Sequence, residues 1–61
     1  MNTEKLVELR HARDLTQKEL GEQIGVSGAM VSYYESGIKT PSLPTLKLIT
    51  KALGCTADDL I

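Results

Sequence analysis

The chain has 61 residues, of which 41% are hydrophobic and 25% are charged, and its formal net charge is −1. A chain of about 60 residues buries only roughly 60% of its unfolded surface, so we expect one small domain without a deep enzyme pocket. No apolar run reaches the 18 or so residues of a membrane span, no signal peptide opens the sequence, and the single cysteine, Cys55, fits a reducing cytoplasm.

Residues 1–61 are predicted to form a single all-α domain, since no window alternates apolar and polar residues over the length of a strand. Neither a linker nor a repeat divides the chain. There is no separate effector or oligomerisation domain in the sequence, so any dimer would have to use this small domain itself.

The first predicted helix starts at a cap formed by Asn2 or Thr3 and runs to about Arg13. Asp14 follows it, and aspartate tolerates the left-handed conformation that such a turn often needs. Leu6 lies on the inner face of this helix. The pattern predicts one amphipathic helix of about three turns.

Two further helices are predicted on either side of a glycine turn. Thr16 and Glu19 form a capping box, in which each side chain satisfies a backbone N–H that the helix start leaves free. Gly25 ends this second helix, Ser27 caps the third, and Gly37 is placed to end it. This is the layout of a helix-turn-helix.

A fourth helix begins at the cap Ser42, with Pro44 in its first turn, where a missing N–H costs little, and it ends at Gly54. Thr56 and Asp59 make another capping box two residues before the end. The predicted fold is therefore a compact bundle of four helices plus a short C-terminal fifth helical turn.

Helix three separates into two faces when its residues are placed at about 100° intervals. Its inner face is predicted to hold Met30, Val31 and Tyr34, and its outer face Gly28, Ala29, Ser32 and Tyr33. The outer face carries no charge, which suits close approach to a partner. Periodicity alone leaves a plain solvated helix as an equally good interpretation.

At these residues the chain resembles the lambda-repressor/Cro-like (XRE-type) helix-turn-helix regulators of bacteria and phages. The resemblance rests on L-T-Q-K-E-L-G-E-Q-I-G-V-S-x-x-x-V-S-x-Y-E-x-G, on P-S-L-P-T-L and on K-A-L-G, and it covers roughly residues 6–60. It implies a DNA-binding domain that usually works as a dimer on a two-fold-symmetric operator, with helix three (about residues 28–36) in the major groove.

The resemblance implies two sets of DNA contacts. Positions that meet bases or the groove would be Ser27, Gly28, Ala29, Ser32 and Tyr33. Positions that meet phosphates would be Gln17, an exposed amide donor at the start of helix two, and Lys39 and Thr40, with backbone N–H groups contributing in the loop after helix three. Gln17 could instead be an ordinary first-turn residue, and Lys39 a solvated lysine.

The resemblance also implies a supporting set. Gly21 matches a position where small residues let helices two and three approach closely, and Gly25 closes helix two. Arg10 and Glu35 match a pair that ties helix one to the end of helix three, for which we expect a partly buried, charge-assisted contact. Two independent surface charges are the alternative.

Gly28 and Ala29 depart from the family, whose members commonly carry long polar side chains at these positions. Such side chains make bidentate base contacts worth roughly 1–3 kcal/mol of discrimination each. Glycine cannot read a base edge, and alanine offers only a methyl contact to thymine. Direct readout would then fall on Ser32 and Tyr33, helped by sequence-dependent DNA shape.

The sequence therefore predicts a transcriptional regulator, either a repressor or a regulatory domain, that binds double-stranded DNA as a homodimer. The alternative is a protein-interaction module with the same fold, which the slight excess of acidic over basic residues would allow. No enzyme, metal site, cofactor or small-molecule ligand is indicated. His11 is interpreted as an isolated surface residue and Cys55 as a small core side chain, and Leu48 is expected to be exposed, where it could serve a dimer interface.

Overall fold

A computed structural model describes residues 1–61 of the chain. Four α-helices and one short 3₁₀ helix follow one another without a strand: α1 (Thr3–Ala12), α2 (Gln17–Ile24), α3 (Gly28–Ser36), α4 (Leu43–Leu53) and η1 (Ala57–Leu60). The predicted all-α fold is confirmed. The fifth element is a 3₁₀ helix of four residues, as its late start led us to expect.

Each helix begins where a side chain satisfies the free N–H groups of its first turn. The oxygens of Asn2, Thr16, Ser27 and Ser42 each accept from the backbone N–H three residues later. These four caps were predicted from the sequence and are confirmed. Replacing such a cap by alanine typically costs about 1 kcal/mol, so the starts of the helices are fixed locally.

The ends of the helices are also as predicted, with one small difference. Gly25, Gly37 and Gly54 take the left-handed conformation immediately after α2, α3 and α4. Asp14 adopts a φ of 57° in the turn after α1, which ends at Ala12, one residue earlier than predicted.

One apolar core joins all five elements. It consists of Leu6, Leu20, Ile24, Val31, Tyr34, Ile49, Leu53 and Leu60, all of them buried. Leu9, Leu15, Met30, Leu46 and Cys55 pack partly buried against it. α2 packs against both α3 and α4, and α1 packs against α3 and η1. The core therefore packs against one side of α3 and leaves the opposite side of this helix exposed.

η1 closes the bundle against α1. Leu60 is fully buried although it lies next to the last residue, and its carbonyl accepts a hydrogen bond from the Asn2 N–H. The Asp59 carboxylate accepts from the Thr56 N–H at 3.0 Å, and this bond lowers the pKa of that carboxyl. No helix is long and apolar enough to cross a lipid bilayer.

Candidate nucleic-acid interface

Gly21 lets the turn after α2 lie directly on the helix. It is buried, and a Cβ at this position would lie 2.6 Å from the Val26 carbonyl oxygen and 3.0 Å from that of Ser27. The Val26 N–H in turn donates to the Gly21 carbonyl at 2.9 Å. The close approach expected at Gly21 is present, and it sets the angle at which α3 leaves α2.

The first turn of α3 presents free backbone donors. The Ser27 hydroxyl accepts from the Met30 N–H at 3.1 Å, whereas the N–H groups of Gly28 and Ala29 have no partner within the protein. Such N–H groups, together with the helix dipole, favour an anion at this position.

The two faces of α3 lie mostly where the sequence placed them. Val31 and Tyr34 are buried, and Met30 is half-buried against the core. On the opposite side Ala29 is exposed, and Tyr33 has 41% of its surface accessible.

Ser32, between them, is half-buried. The outward face of α3 therefore consists of small side chains and one aromatic ring, and it carries no charged group.

Gly28 does not face outward, which corrects the helical-wheel prediction for that residue. A Cβ built on it would lie 3.1 Å from the Cα and 3.2 Å from the backbone nitrogen of Lys18 in α2. The direction in which a side chain would leave residue 28 is thus occupied by the backbone of the neighbouring helix. A Cβ at position 28 would therefore make tight contacts with α2, while the backbone N–H of Gly28 has no partner within the protein.

A buried polar network holds α3 to the rest of the domain. The Arg10 Nε donates to Glu35 Oε2 at 2.6 Å and its Nη2 donates to Oε1 at 3.2 Å. The Nη1 of the same guanidinium donates to the Leu15 carbonyl at 2.7 Å. Only 10% and 6% of the Arg10 and Glu35 side chains are accessible, so the predicted pair is confirmed and is more deeply buried than expected.

Gln17 belongs to this network. Its side-chain Nε2 donates to Glu35 Oε1 at 3.0 Å, and the residue is half-buried. The sequence had suggested an exposed amide, so this prediction is corrected: one of the two amide protons is already engaged by Glu35. The second proton remains available, and the Glu35 carboxylate fixes the orientation in which the amide presents it.

His11 also touches the network, which corrects its interpretation as an isolated residue. Although His11 is exposed, its ring Nε2 accepts from the Arg10 Nη2 at 3.1 Å. No helix periodicity could have revealed this contact, since it joins neighbouring residues of one helix and depends on the direction that the Arg10 side chain takes. The guanidinium of Arg10 thus spans a histidine, a backbone carbonyl and a carboxylate.

The loop after α3 places Lys39 and Thr40 beside the end of the helix, and both are exposed. The Lys39 N–H donates to the Tyr33 carbonyl at 3.2 Å, so this backbone group is not free for a phosphate as the resemblance had implied. The ammonium group of Lys39 forms no ion pair. Any contact with an anion would therefore come from the lysine side chain and from Thr40.

The charges around α2 and α3 are few and of both signs. Lys18 and Lys39 are exposed cations without ion pairs, and Glu19 and Glu22 are exposed anions. Hydrogen bonds from Thr16 to the Glu19 carboxylate lower the pKa of that group. Because Glu35 is neutralised by Arg10, the side of the domain that carries the outward face of α3 is not dominated by negative charge.

Outside α3 and its surroundings, the domain has one free cysteine and one shallow groove. No cluster of three or more His, Cys, Asp or Glu side chains could hold a metal ion. Cys55 is half-buried at the edge of the core, close to its predicted position, and burial raises the pKa of its thiol. A shallow groove lies between α2 and α4 and is lined by Gln23, Leu48, Lys51 and Ala52.

Known proteins are similar to the chain in sequence. A family model described as "Helix-turn-helix" matches residues 6–60. The chain belongs to this family, the Cro/C1-type helix-turn-helix proteins. The match begins within α1, includes all of α2, α3 and α4, and ends at the last residue of η1.

Three curated relatives of the family are similar to the chain. It is 43% identical over 58 residues to the HTH-type transcriptional activator BcrR of Enterococcus faecalis, covering 95% of this chain and 28% of that protein. It is 34% identical over 61 residues to the cryptic phage CTXphi transcriptional repressor RstR of Vibrio cholerae, covering 100% of this chain and 55% of RstR.

The third relative is the HTH-type transcriptional regulator AnsR of Bacillus subtilis, which is 30% identical over 61 residues, or 100% of this chain and 53% of AnsR. The chain thus spans about a quarter to about half of the length of these relatives. No solved structure matches the chain.

Proposed function

We propose that this domain is a transcriptional regulator that binds double-stranded DNA by inserting α3 into the major groove of an operator. One observation carries the proposal: α3 is anchored from behind by the buried Arg10–Glu35 pair, while its outward face holds no charged side chain. A helix held in this way can lie against the base edges without burying an uncompensated charge. The family and the names of its relatives support the same function.

Contacts with the DNA backbone would come from both sides of α3. The free proton of the Gln17 amide and the N–H groups at the start of α3 would meet phosphates on one side of the groove. Lys39 and Thr40 would meet phosphates on the other side. Such contacts position the protein but carry no sequence information directly.

Sequence readout would fall on the outward face of α3. Tyr33 is exposed enough to contact base edges with its ring and its hydroxyl, and Ala29 can meet a thymine methyl group. Ser27 and Ser32 would add hydroxyl contacts at the edges of this face. Because Gly28 has no side chain, we propose that DNA shape supplies part of the discrimination.

We further propose that the domain acts as a homodimer, which would place two copies of α3 about 34 Å apart on one side of the duplex. Occupation of the operator would be the means of regulation. The relatives include one named an activator and one named a repressor, so we propose no sign for the effect. Because its target is genomic DNA, the protein would act in the cytoplasm.

Two alanine variants test this function. Gln17→Ala removes the proposed phosphate contact and Tyr33→Ala removes the largest side chain on the outward face. Ile61→Ala is the control, because Ile61 is an exposed apolar side chain (81% accessible) that lies outside α2 and α3. Binding to the preferred DNA should weaken at least tenfold in the double variant and stay unchanged in the control.

Circular dichroism and thermal unfolding must first show that each variant is folded, since Gln17 also bonds to Glu35. Undiminished DNA affinity in a folded Gln17→Ala/Tyr33→Ala double variant would exclude the proposed interface. It would favour the alternative function, a protein-interaction module that retains the fold.

A further inference from the structure

We propose that Lys18 is a DNA-binding residue. Its ammonium group contacts a DNA phosphate beside Gly28, the first residue of α3, which has no side chain. This inference rests on the proposed DNA-binding function and adds a residue to it. Neither the helix periodicity nor the resemblance assigned any role to Lys18, which lies in the first turn of α2.

The packing of Gly28 brings Lys18 to this position. The Cβ that Gly28 lacks would lie 3.1 Å from the Lys18 Cα and 3.4 Å from its Cβ. The Lys18 side chain therefore leaves α2 beside the first residue of α3. These distances are at or below an ordinary van der Waals contact, so Gly28 is closely packed against the stem of Lys18.

The charge of Lys18 is available for an external partner. Lys18 is exposed and forms no ion pair with any carboxylate of the chain. It also lies near two other anion-seeking features, the unpartnered N–H groups of Gly28 and Ala29. A cation and two free amide donors at one place favour a phosphate oxygen over a neutral base edge.

A phosphate also suits the chemistry of lysine. The ammonium is a compact, strongly hydrated point charge on a flexible stem, and it lacks the planar fork with which arginine recognises a guanine. Lys18 would thus supply affinity without sequence preference, at the opposite end of α3 from Lys39. This would compensate in part for the acidic balance of the whole chain.

The test compares Lys18→Gln with Lys51→Gln in the 61-residue chain. Lys51 is an equally exposed, unpaired lysine in the last turn of α4, beside the groove that Gln23 lines at the other end of α2. Dissociation constants are measured by fluorescence anisotropy at several salt concentrations on a selected DNA site and on an unrelated duplex. Thermal unfolding verifies that both variants are folded.

Lys18→Gln should weaken binding about three- to tenfold at 0.1 M salt on both duplexes, and it should reduce the salt slope by about 0.9 for each chain bound. Lys18→Arg should restore most of the affinity, and Lys51→Gln should match the wild type. Unchanged affinity and slope in Lys18→Gln would overturn the inference while leaving the proposed function intact. A loss confined to the selected site would also overturn it, because it would indicate a base contact. Absence of any DNA binding by the wild type would instead refute the proposed function.

Discussion

Replacing Arg10 by methionine should remove a large part of the stability of this domain. Methionine retains much of the apolar stem of Arg10. The Glu35 carboxylate, which has only 6% of its side chain accessible, then keeps the Gln17 amide as its only partner. Breaking a buried ion pair by removing one partner costs about 3–5 kcal/mol. At roughly 0.05–0.15 kcal/mol per residue, a chain of 61 residues has a total stability of about 3–9 kcal/mol.

The loss should therefore be about a third or more of the free energy of unfolding, measured by urea denaturation with linear extrapolation. Removing both charges should restore most of it: we expect Arg10→Met/Glu35→Leu to be within about 1–2 kcal/mol of the wild type, because no buried charge then lacks a partner.

The matched control is Lys5→Met in the same helix, where Lys5 faces Glu8 at 3.9 Å in an exposed pair. Such pairs are worth at most about 1 kcal/mol. The reasoning is refuted if Arg10→Met costs no more than this control. It is also refuted if the double variant is less stable than Arg10→Met, since the cost would then not come from the uncompensated carboxylate.

Two further outcomes can be checked on purified protein. Gly21→Ala should destabilise the domain by about 1–2 kcal/mol net and weaken DNA binding, because overpacking against the Val26 and Ser27 carbonyls outweighs the gain of about 1 kcal/mol in helix propensity. Gly25→Ala, whose side chain would meet nothing within 4 Å, should affect stability alone. Equal DNA affinities of the two variants would contradict this prediction. Glu19→Gln should make the free energy of unfolding depend less on pH in acid. The pKa of Glu19 is lowered from its ordinary 4.5 in the folded state. The stabilisation by its carboxylate is therefore present above pH 4.5 and is lost as the pH falls through the folded-state pKa. If the free energy of unfolding of wild type and variant falls equally as the pH drops below 4.5, the Glu19 carboxylate contributes no pH-dependent stability.

The helix boundaries could be predicted from the sequence because their signals are local. Each cap involves residues three positions apart, and each glycine acts on the turn in which it lies. The same holds for the separation of Val31 and Tyr34 from Ala29 and Tyr33 on α3. These features depend on helix geometry and do not require knowledge of the tertiary structure.

The errors concerned contacts between elements. The direction of Gly28 depends on how closely α2 approaches it, and a helical wheel contains no neighbouring helix. The bond from Gln17 to Glu35 joins residues 18 positions apart, and the Lys39 N–H is engaged by a loop geometry that no periodicity specifies. The resemblance supplied the Arg10–Glu35 pair, but only the structure shows that Gln17 and His11 belong to the same network.

The central claim is that this domain recognises a DNA sequence through the outward face of α3, and selection from a randomised DNA pool at two salt concentrations tests it most directly. We predict enrichment of one motif with two-fold symmetry, its half-sites about 34 Å apart, at both salt concentrations. Binding that enriches no motif and falls steeply with salt, as purely electrostatic association does, would contradict the claim.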